Sequence, residues 1–281
     1  MNSRLSYSNT QWALILGASS GFGGATALEL SRCGMNIFGV HFDRAGTMPA
    51  VEKIKDEIAA NGVKQMFFNA NASDPAKQNE VLDTVKKEFA SNKENTIRVL
   101  MHSLAFGSLK PIVSERPDEC LTKAQIEMTL DVMANSLVYW TQGVVQRGLM
   151  KKGGRIFAMT SSGGHSVLLN YGAVSAAKAA LESHIRQLGL ELGYLGITAN
   201  SIHGGVTDTP ALRKIPGSDK MLSVAKARNP SLRNGTPEDI AKAIALLAHD
   251  NADFISGNVI RVDHGEDTVE YIGQKSVRQL D

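Results

Sequence analysis

Tyr171 stands seven residues before Lys178 in the stretch NYGAVSAAKAALE. Seven residues make almost two turns of an α-helix, so a phenol and an ammonium at this spacing share one face. A phenol beside a cation has a lowered pKa and suits a substrate oxygen that gains negative charge during a reaction. Small and apolar residues flank Lys178 on both sides, unlike those around a solvated helix lysine. Ser161 follows the apolar run that ends in Thr160. Its hydroxyl could orient substrate or the phenol, or bond only backbone as strand-end serines often do. His165 and His203 lie nearby in sequence, but no carboxylate spacing marks either as a base or ligand, and no metal framework is visible.

A second chemistry is written near the start. After WALIL comes GASSGFG, with Gly17, Gly21 and Gly23 leading into GATALELSR. Strand, glycine turn and helix in that order let a backbone approach a pyrophosphate at a helix N-terminus, with Ser19 and Ser20 able to donate to its oxygens. At the end of NIFGVHFDR, Asp43 suits the adenosine ribose hydroxyls of NADH, whereas Arg44 suits the extra phosphate of NADPH. The reading leans to NADPH, with NADH as the alternative. Asn71 could hold an adenine edge, although asparagine is also a common turn residue.

These residues need elements to hold them. Short apolar runs predict strands at 12–16, 36–42, 65–69, 98–102, 154–160, 198–202 and 259–263. Amphipathic runs between them predict helices at 25–32, 48–61, 75–90, 123–150, 173–195 and 237–249, the last capped by Thr236 before Pro237. The alternation implies an α/β fold: a single domain around a Rossmann-type, doubly wound, seven-stranded parallel sheet. Residues 209–233 are expected to form a long irregular lid, and the polar tail 266–281 to be loose or to dock on another subunit.

Composition bounds the rest. With 281 residues, 43% of them apolar and 21% charged, the chain is globular and not disordered. No apolar run approaches ~18 residues and the opening MNSRLSYSNT carries no signal-peptide stretch, so a cytoplasmic protein without membrane contact is expected. Thirty Lys plus Arg against 28 Asp plus Glu do not suggest nucleic acid binding. Cys33 and Cys120 read as reduced thiols.

Taken in order, GASSGFG, NASDP at 71–75, Ser161, Lys178, NSIHGGVTDT at 200–209 and the closing VDHG resemble the short-chain dehydrogenase/reductase family over residues 10–265. The resemblance implies a nicotinamide cofactor, hydride transfer and a homo-oligomer, a tetramer or a dimer. It departs at two places. Where the family has tyrosine four residues before the lysine, this chain has Val174. Where it has Asn-Asn-Ala-Gly, this chain has HSLAFG at 102–107. Tyr-x6-Lys and His-Ser before apolar residues are similar to the enoyl-acyl-carrier-protein reductases, above all to their NADPH-using type III. The family's helix asparagine falls near Met133, with Asn135 displaced from it.

On this resemblance Tyr171, Lys178 and Ser161 are catalytic, with Lys178 also on the nicotinamide ribose. Cofactor contacts are implied for Gly17, Ser19, Ser20, Gly21, Phe22, Gly23, Asp43, Arg44, Asn71, Ala72, Ser103, Leu104, Ala105, Thr160, Gly205, Val206 and Thr209. Phe106, Leu212, Ile215 and Met221 would line the substrate. The implied activity is reduction of the carbon–carbon double bond of trans-2-enoyl thioesters in fatty acid synthesis. A carbonyl or hydroxysteroid reductase using Tyr171 and a catalytically silent dinucleotide sensor are the alternatives. Six cations against Asp219 within 209–233 suggest attraction to an acidic acyl carrier protein or to coenzyme A phosphates.

Overall fold

The computed structural model describes residues 5–270. Seven strands, β1 (Gln11–Leu16), β2 (Asn36–His41), β3 (Gln65–Asn69), β4 (Thr96–His102), β5 (Arg155–Thr160), β6 (Thr198–Gly204) and β7 (Val259–Val262), form one parallel sheet in the order β3-β2-β1-β4-β5-β6-β7. Alternate residues of β1 enter different cores: Trp12, Leu14 and Leu16 pack on one face, Ala13 and Ile15 on the other. A sheet buried on both faces needs apolar residues at both parities, which is why its strands read as continuous apolar runs. Trp12 stacks on Phe38 of β2 with ring centroids 4.2 Å apart.

The helices are α1 (Gly21–Arg32), α2 (Met48–Ala60), α3 (Pro75–Phe89), α4 (Lys123–Leu130), α5 (Ser136–Gln146), α6 (Gly172–Leu192), α7 (Ser218–Arg228) and α8 (Pro237–Leu247). Thr236 caps α8 in a reciprocal capping box with Asp239, as its sequence implies. Buried Arg98 closes the other end of α8, its Nε and a terminal nitrogen donating to the Ala248 carbonyl at 2.9 and 2.7 Å.

Two expectations are corrected. The run 123–150 is helical to Gln146 but not a regular α-helix, because a π-helical turn at Asp131–Asn135 lies between α4 and α5. That extra residue per turn re-aims the side chains that follow it. Residues 209–233 are not irregular either, since they contain α7, whose last turn is basic (Lys226 and Arg228) as its C-terminal dipole favours. The long connection with little regular structure is instead 103–122, punctuated by Pro111 and Pro117. The first residues of the predicted tail are ordered against their own chain: Glu266–Thr268 form a helical turn with Glu266 buried, while 271–281 lie outside the described residues. Among the described residues no helix is long and apolar enough to cross a membrane.

The sheet order reverses direction between β1 and β4, which opens a crevice past their carboxyl ends. Gly17 ends β1 there with φ +90°, and a Cβ on it would lie 2.5 Å from the Ser103 carbonyl oxygen beyond β4. A side chain at that position would force the two strand ends apart.

Candidate active site

A cleft of about 430 Å³ occupies this crevice. Gly17, Ser19, Ser20, Gly21 and Phe22 line it from the β1–α1 turn, and Ser103, Leu104, Ala105 and Phe106 from the segment after β4. Thr160 and Ser161 enter from β5, Tyr171 and Lys178 from α6, Gly205, Val206 and Thr209 from beyond β6, and Leu212, Ile215 and Met221 from the lid. Five residues expected at the cofactor do not line the cleft. Gly23 is buried, and a Cβ on it would overlap the Gly17 carbonyl oxygen, so this glycine serves helix–turn packing. Asn71 spends its side-chain oxygen on the Ser73 amide and hydroxyl at 3.1 and 2.9 Å. Ala72 is buried, its carbonyl accepting from Trp140 Nε1 at 2.7 Å. Arg44 is exposed beside Asp43, outside the cleft.

Asp43 nevertheless lies beside the turn. Burial pushes its carboxyl up, but hydrogen bonding by Ser19, Thr47 and His41 outweighs this and leaves the pKa lowered. His41 Nδ1 is 3.0 Å from the carboxylate, and the Asn69 side chain clamps the Asp43 backbone through both its amide and its carbonyl. An ionised, held carboxylate therefore stands next to Ser19.

Tyr171 is the residue just before α6, and Asn170 before it takes the left-handed conformation with φ 60°. Asparagine tolerates that region better than most residues, so the turn delivers the phenol to the helix start at little cost. The Tyr171 carbonyl accepts the first helical hydrogen bond, from Ser175 at 2.8 Å, which keeps phenol and Lys178 on one face. Val174, at the family's tyrosine position, is buried and lines the same cleft.

Lys178 was expected to lower the pKa of the phenol; the structure differs. Burial raises the Tyr171 pKa, opposed only by the neighbouring Ser161 hydroxyl. That hydroxyl is buried yet makes no properly aimed hydrogen bond among the described residues, so it faces the phenol with bonding capacity to spare. Lys178 is buried and donates to the Met159 carbonyl at 2.7 Å. Burial draws its pKa down to about 8, with Glu182 opposing the shift.

His102 ends β4 and is fully buried. Its Nε2 lies 2.8 Å from Ser136 Oγ, which itself donates to the Val132 carbonyl, so the ring nitrogen must be the donor. Burial first, then the Lys178 charge, depresses its pKa from 6.5 to about 3. The unfolded chain therefore takes a proton that the folded chain refuses, and stability should fall as pH drops from about 6.5 towards about 3. Urea unfolding of His102→Gln across that window should show a flatter acid limb; an unchanged limb would refute the assignment.

Met133 occupies the π-helical turn and lines the cleft, whereas Asn135 lies 3.2 Å from His184 Nε2, away from it. Among the described residues no helix asparagine therefore lines the cleft. Sequence reasoning missed Glu266, which is buried in the cleft wall and accepts from the Val206 amide at 3.1 Å, and Arg228, 3.6 Å from that carboxylate. It also set aside His203, which is buried in the wall with its pKa lowered chiefly by burial. No spacing marks these three, because tertiary packing alone joins them. The basic lid is also less basic than its own residues suggest. Arg213 pairs with Asp208 at 2.7 Å, Arg233 with Asp239 at 2.6 Å, and Arg228 with Glu266, all acids outside the segment. Lys214, Lys220 and Lys226 remain without an ion-pair partner among the described residues.

A family model described as enoyl-(acyl carrier protein) reductase matches residues 17–266. The chain belongs to the short-chain dehydrogenase/reductase family. It is thus an oxidoreductase-family chain, 31% identical to the 3-oxoacyl-[acyl-carrier-protein] reductase of Pseudomonas aeruginosa over 90% of its length and 96% of that protein. It is 27% identical to an NADPH-dependent aldehyde reductase-like chloroplastic protein of Arabidopsis thaliana, over 90% and 93% of the two chains. In fold it is similar to the enoyl-[acyl-carrier-protein] reductase (NADH) of Aquifex aeolicus, with a TM-score of 0.81 at 20% identity, covering 95% of this chain and 99% of that chain.

Proposed function

We propose that this short-chain reductase reduces the carbon–carbon double bond of trans-2-enoyl thioesters, with a nicotinamide dinucleotide as reductant. The observation that carries the reading is the joint presence of the Tyr171 phenol and Lys178 in one cleft whose usual tyrosine position holds Val174.

The cleft fits the coenzyme. Helix α1 begins at Gly21 with its positive end towards the crevice, and the hydroxyl of its cap residue Ser20 makes no capping bond, leaving amides and hydroxyl for a pyrophosphate. Lys178 and Thr160 would hold the nicotinamide ribose side, and Gly205, Val206 and Thr209 would border the ring. Asp43 favours NADH, because a carboxylate held beside Ser19 can accept from ribose hydroxyls and repels a 2′-phosphate. This reverses the lean towards NADPH drawn from Arg44.

Bound there, a nicotinamide coenzyme would supply hydride to the β carbon, and the enolate so formed would take the balancing proton at its α carbon, drawn in the end from solvent. The chain's own task is then the oxygen two carbons away, where negative charge collects. Tyr171 keeps its proton at neutral pH because burial raises its pKa, so it meets that oxygen as a hydrogen-bond donor. Ser161, with unspent bonding capacity, orients the phenol. Phe106, Leu212, Ile215 and Met221 enclose the acyl chain and exclude water. The three unpaired lysines of the lid face a carrier with phosphate or acidic groups, an acyl carrier protein or coenzyme A.

The similarity to a 3-oxoacyl reductase at 31% identity supports a second reading, reduction of the ketone. Following NADH and NADPH oxidation with crotonyl and acetoacetyl thioesters separates the two. Crotonyl turnover, faster with NADH, is expected. Turnover of acetoacetyl thioester alone would overturn the proposal.

A further inference from the structure

We propose that Glu182 is a positioning residue for this site: seated on the Thr160 hydroxyl one helical turn beyond Lys178, its carboxylate supplies the counter-charge that keeps the buried lysine charged and docked at the end of β5. The inference rests on the proposed placing of Lys178 at the coenzyme, in the cleft that also holds the Tyr171 hydrogen-bond donor.

The geometry is a double staple. Lys178 Nζ donates to the Met159 carbonyl at 2.7 Å, and the next residue, Thr160, donates its hydroxyl to Glu182 Oε1 at 2.6 Å. Two residues four apart on α6 thus grip consecutive residues of β5. The loop after β5 closes over the same carboxylate: a Cβ on Gly164 would lie 2.6 Å from Glu182 Oε1. An exposed i, i+4 charge pair contributes little, but Lys178 is only 6% exposed, and charges interact more strongly where water is excluded.

Among the described residues no other charge compensates the lysine, the Glu266 and Asp267 carboxylates of the same cleft included. From β4, His102 is kept neutral by burial. From the start of α6, burial keeps the Tyr171 phenol protonated, and Met159 and Ser161 contribute only uncharged oxygens. Burial alone drives Lys178 towards neutrality, and Glu182 is the group that opposes it.

The sign follows. A neighbouring carboxylate raises the lysine pKa, so removing its charge lowers that pKa and the ammonium is lost at lower pH. Glu182→Gln keeps an oxygen for the Thr160 hydroxyl and removes only the charge. Two readouts are taken from about pH 6 to about pH 10: NADH binding by fluorescence, and kcat/KM with crotonyl thioester. In both, the alkaline limb of E182Q is expected about one unit lower than in the wild type, which makes binding roughly tenfold weaker on that limb. Superimposable limbs would overturn the proposal. Should E182Q not fold, Glu182→Ser, which is smaller, likewise uncharged and still polar, is read the same way: a lowered limb supports the role and an unmoved one refutes it. Lys178→Ala distinguishes the two failures. If it weakens NADH binding while E182Q does not move the limb, Glu182 alone is misassigned. If it binds NADH as the wild type does at every pH, the assignment of Lys178 has failed and this proposal falls with it.

Discussion

Tyr171→Phe is expected to lower kcat with crotonyl thioester by about 100- to 1000-fold while leaving NADH binding unchanged. The substitution removes one oxygen from a side chain that otherwise packs as before against the apolar core beside α6. Its effect therefore belongs to the hydroxyl. That hydroxyl is the acidic group on the Lys178 face of the cleft, and burial holds its proton in place. Binding should persist because Lys178, Thr160 and the glycine turn are untouched. The measurements are steady-state kinetics beside a fluorescence titration of NADH. Full activity in the variant would move the donor elsewhere, with Ser161 the nearest remaining hydroxyl.

The second large effect concerns the coenzyme. Asp43→Ala is expected to shift the NADH-to-NADPH preference, read as the ratio of kcat/KM values, by about 10- to 100-fold towards NADPH. Two changes add: lost hydrogen bonds from ribose hydroxyls to a carboxylate, at about 1.5–3 kcal/mol, and relief of repulsion against a 2′-phosphate. Arg44, exposed and adjacent, would then face the phosphate without a competing acid. Arg44→Ala serves as the counterpart and should leave NADH kinetics nearly unchanged. A wild-type enzyme that prefers NADPH, with Asp43→Ala indifferent, would refute the role given to Asp43.

Much of this was legible in the chain. All seven strands were placed to within two residues, the inner five because strands buried on both faces must be written as apolar runs. The glycine turn, HSLAFG and Tyr-x6-Lys were legible because each is a local pattern with a local geometric demand. The π-helical turn carried no comparable signal, since LDVMANSL reads as an ordinary helix and the insertion is settled by packing against α6. Helix α7 was missed for the opposite reason: its charged, weakly patterned residues look like loop. The pairings Arg228–Glu266, Arg213–Asp208 and Arg233–Asp239 join residues that charge counting within 209–233 could not connect. Glu182 differs from these, because Lys-x3-Glu was visible as a spacing; what was hidden was the burial that gives it force.

The lid's attachments have one further consequence. Its base is closed by a backbone bridge between Thr207 and Gly235. Near its far end, Asn229 donates to the Asp263 carbonyl at 2.9 Å and Arg228 meets Glu266. Over its first half, the polar contacts are local to the segment and its base: Leu212 N to Thr209 at 3.2 Å, and Arg213 to Asp208. Among the described residues the lid is thus tied down at its base and at its return end, and its first half, with only local polar contacts, is the freer arm. Leu212, Ile215 and Met221 sit on the free arm. On the proposed reading, a longer acyl chain would bend that arm outward without disturbing the anchored wall at Val206, and the length accepted would follow from the stiffness of a spring more than from the dimensions of a box.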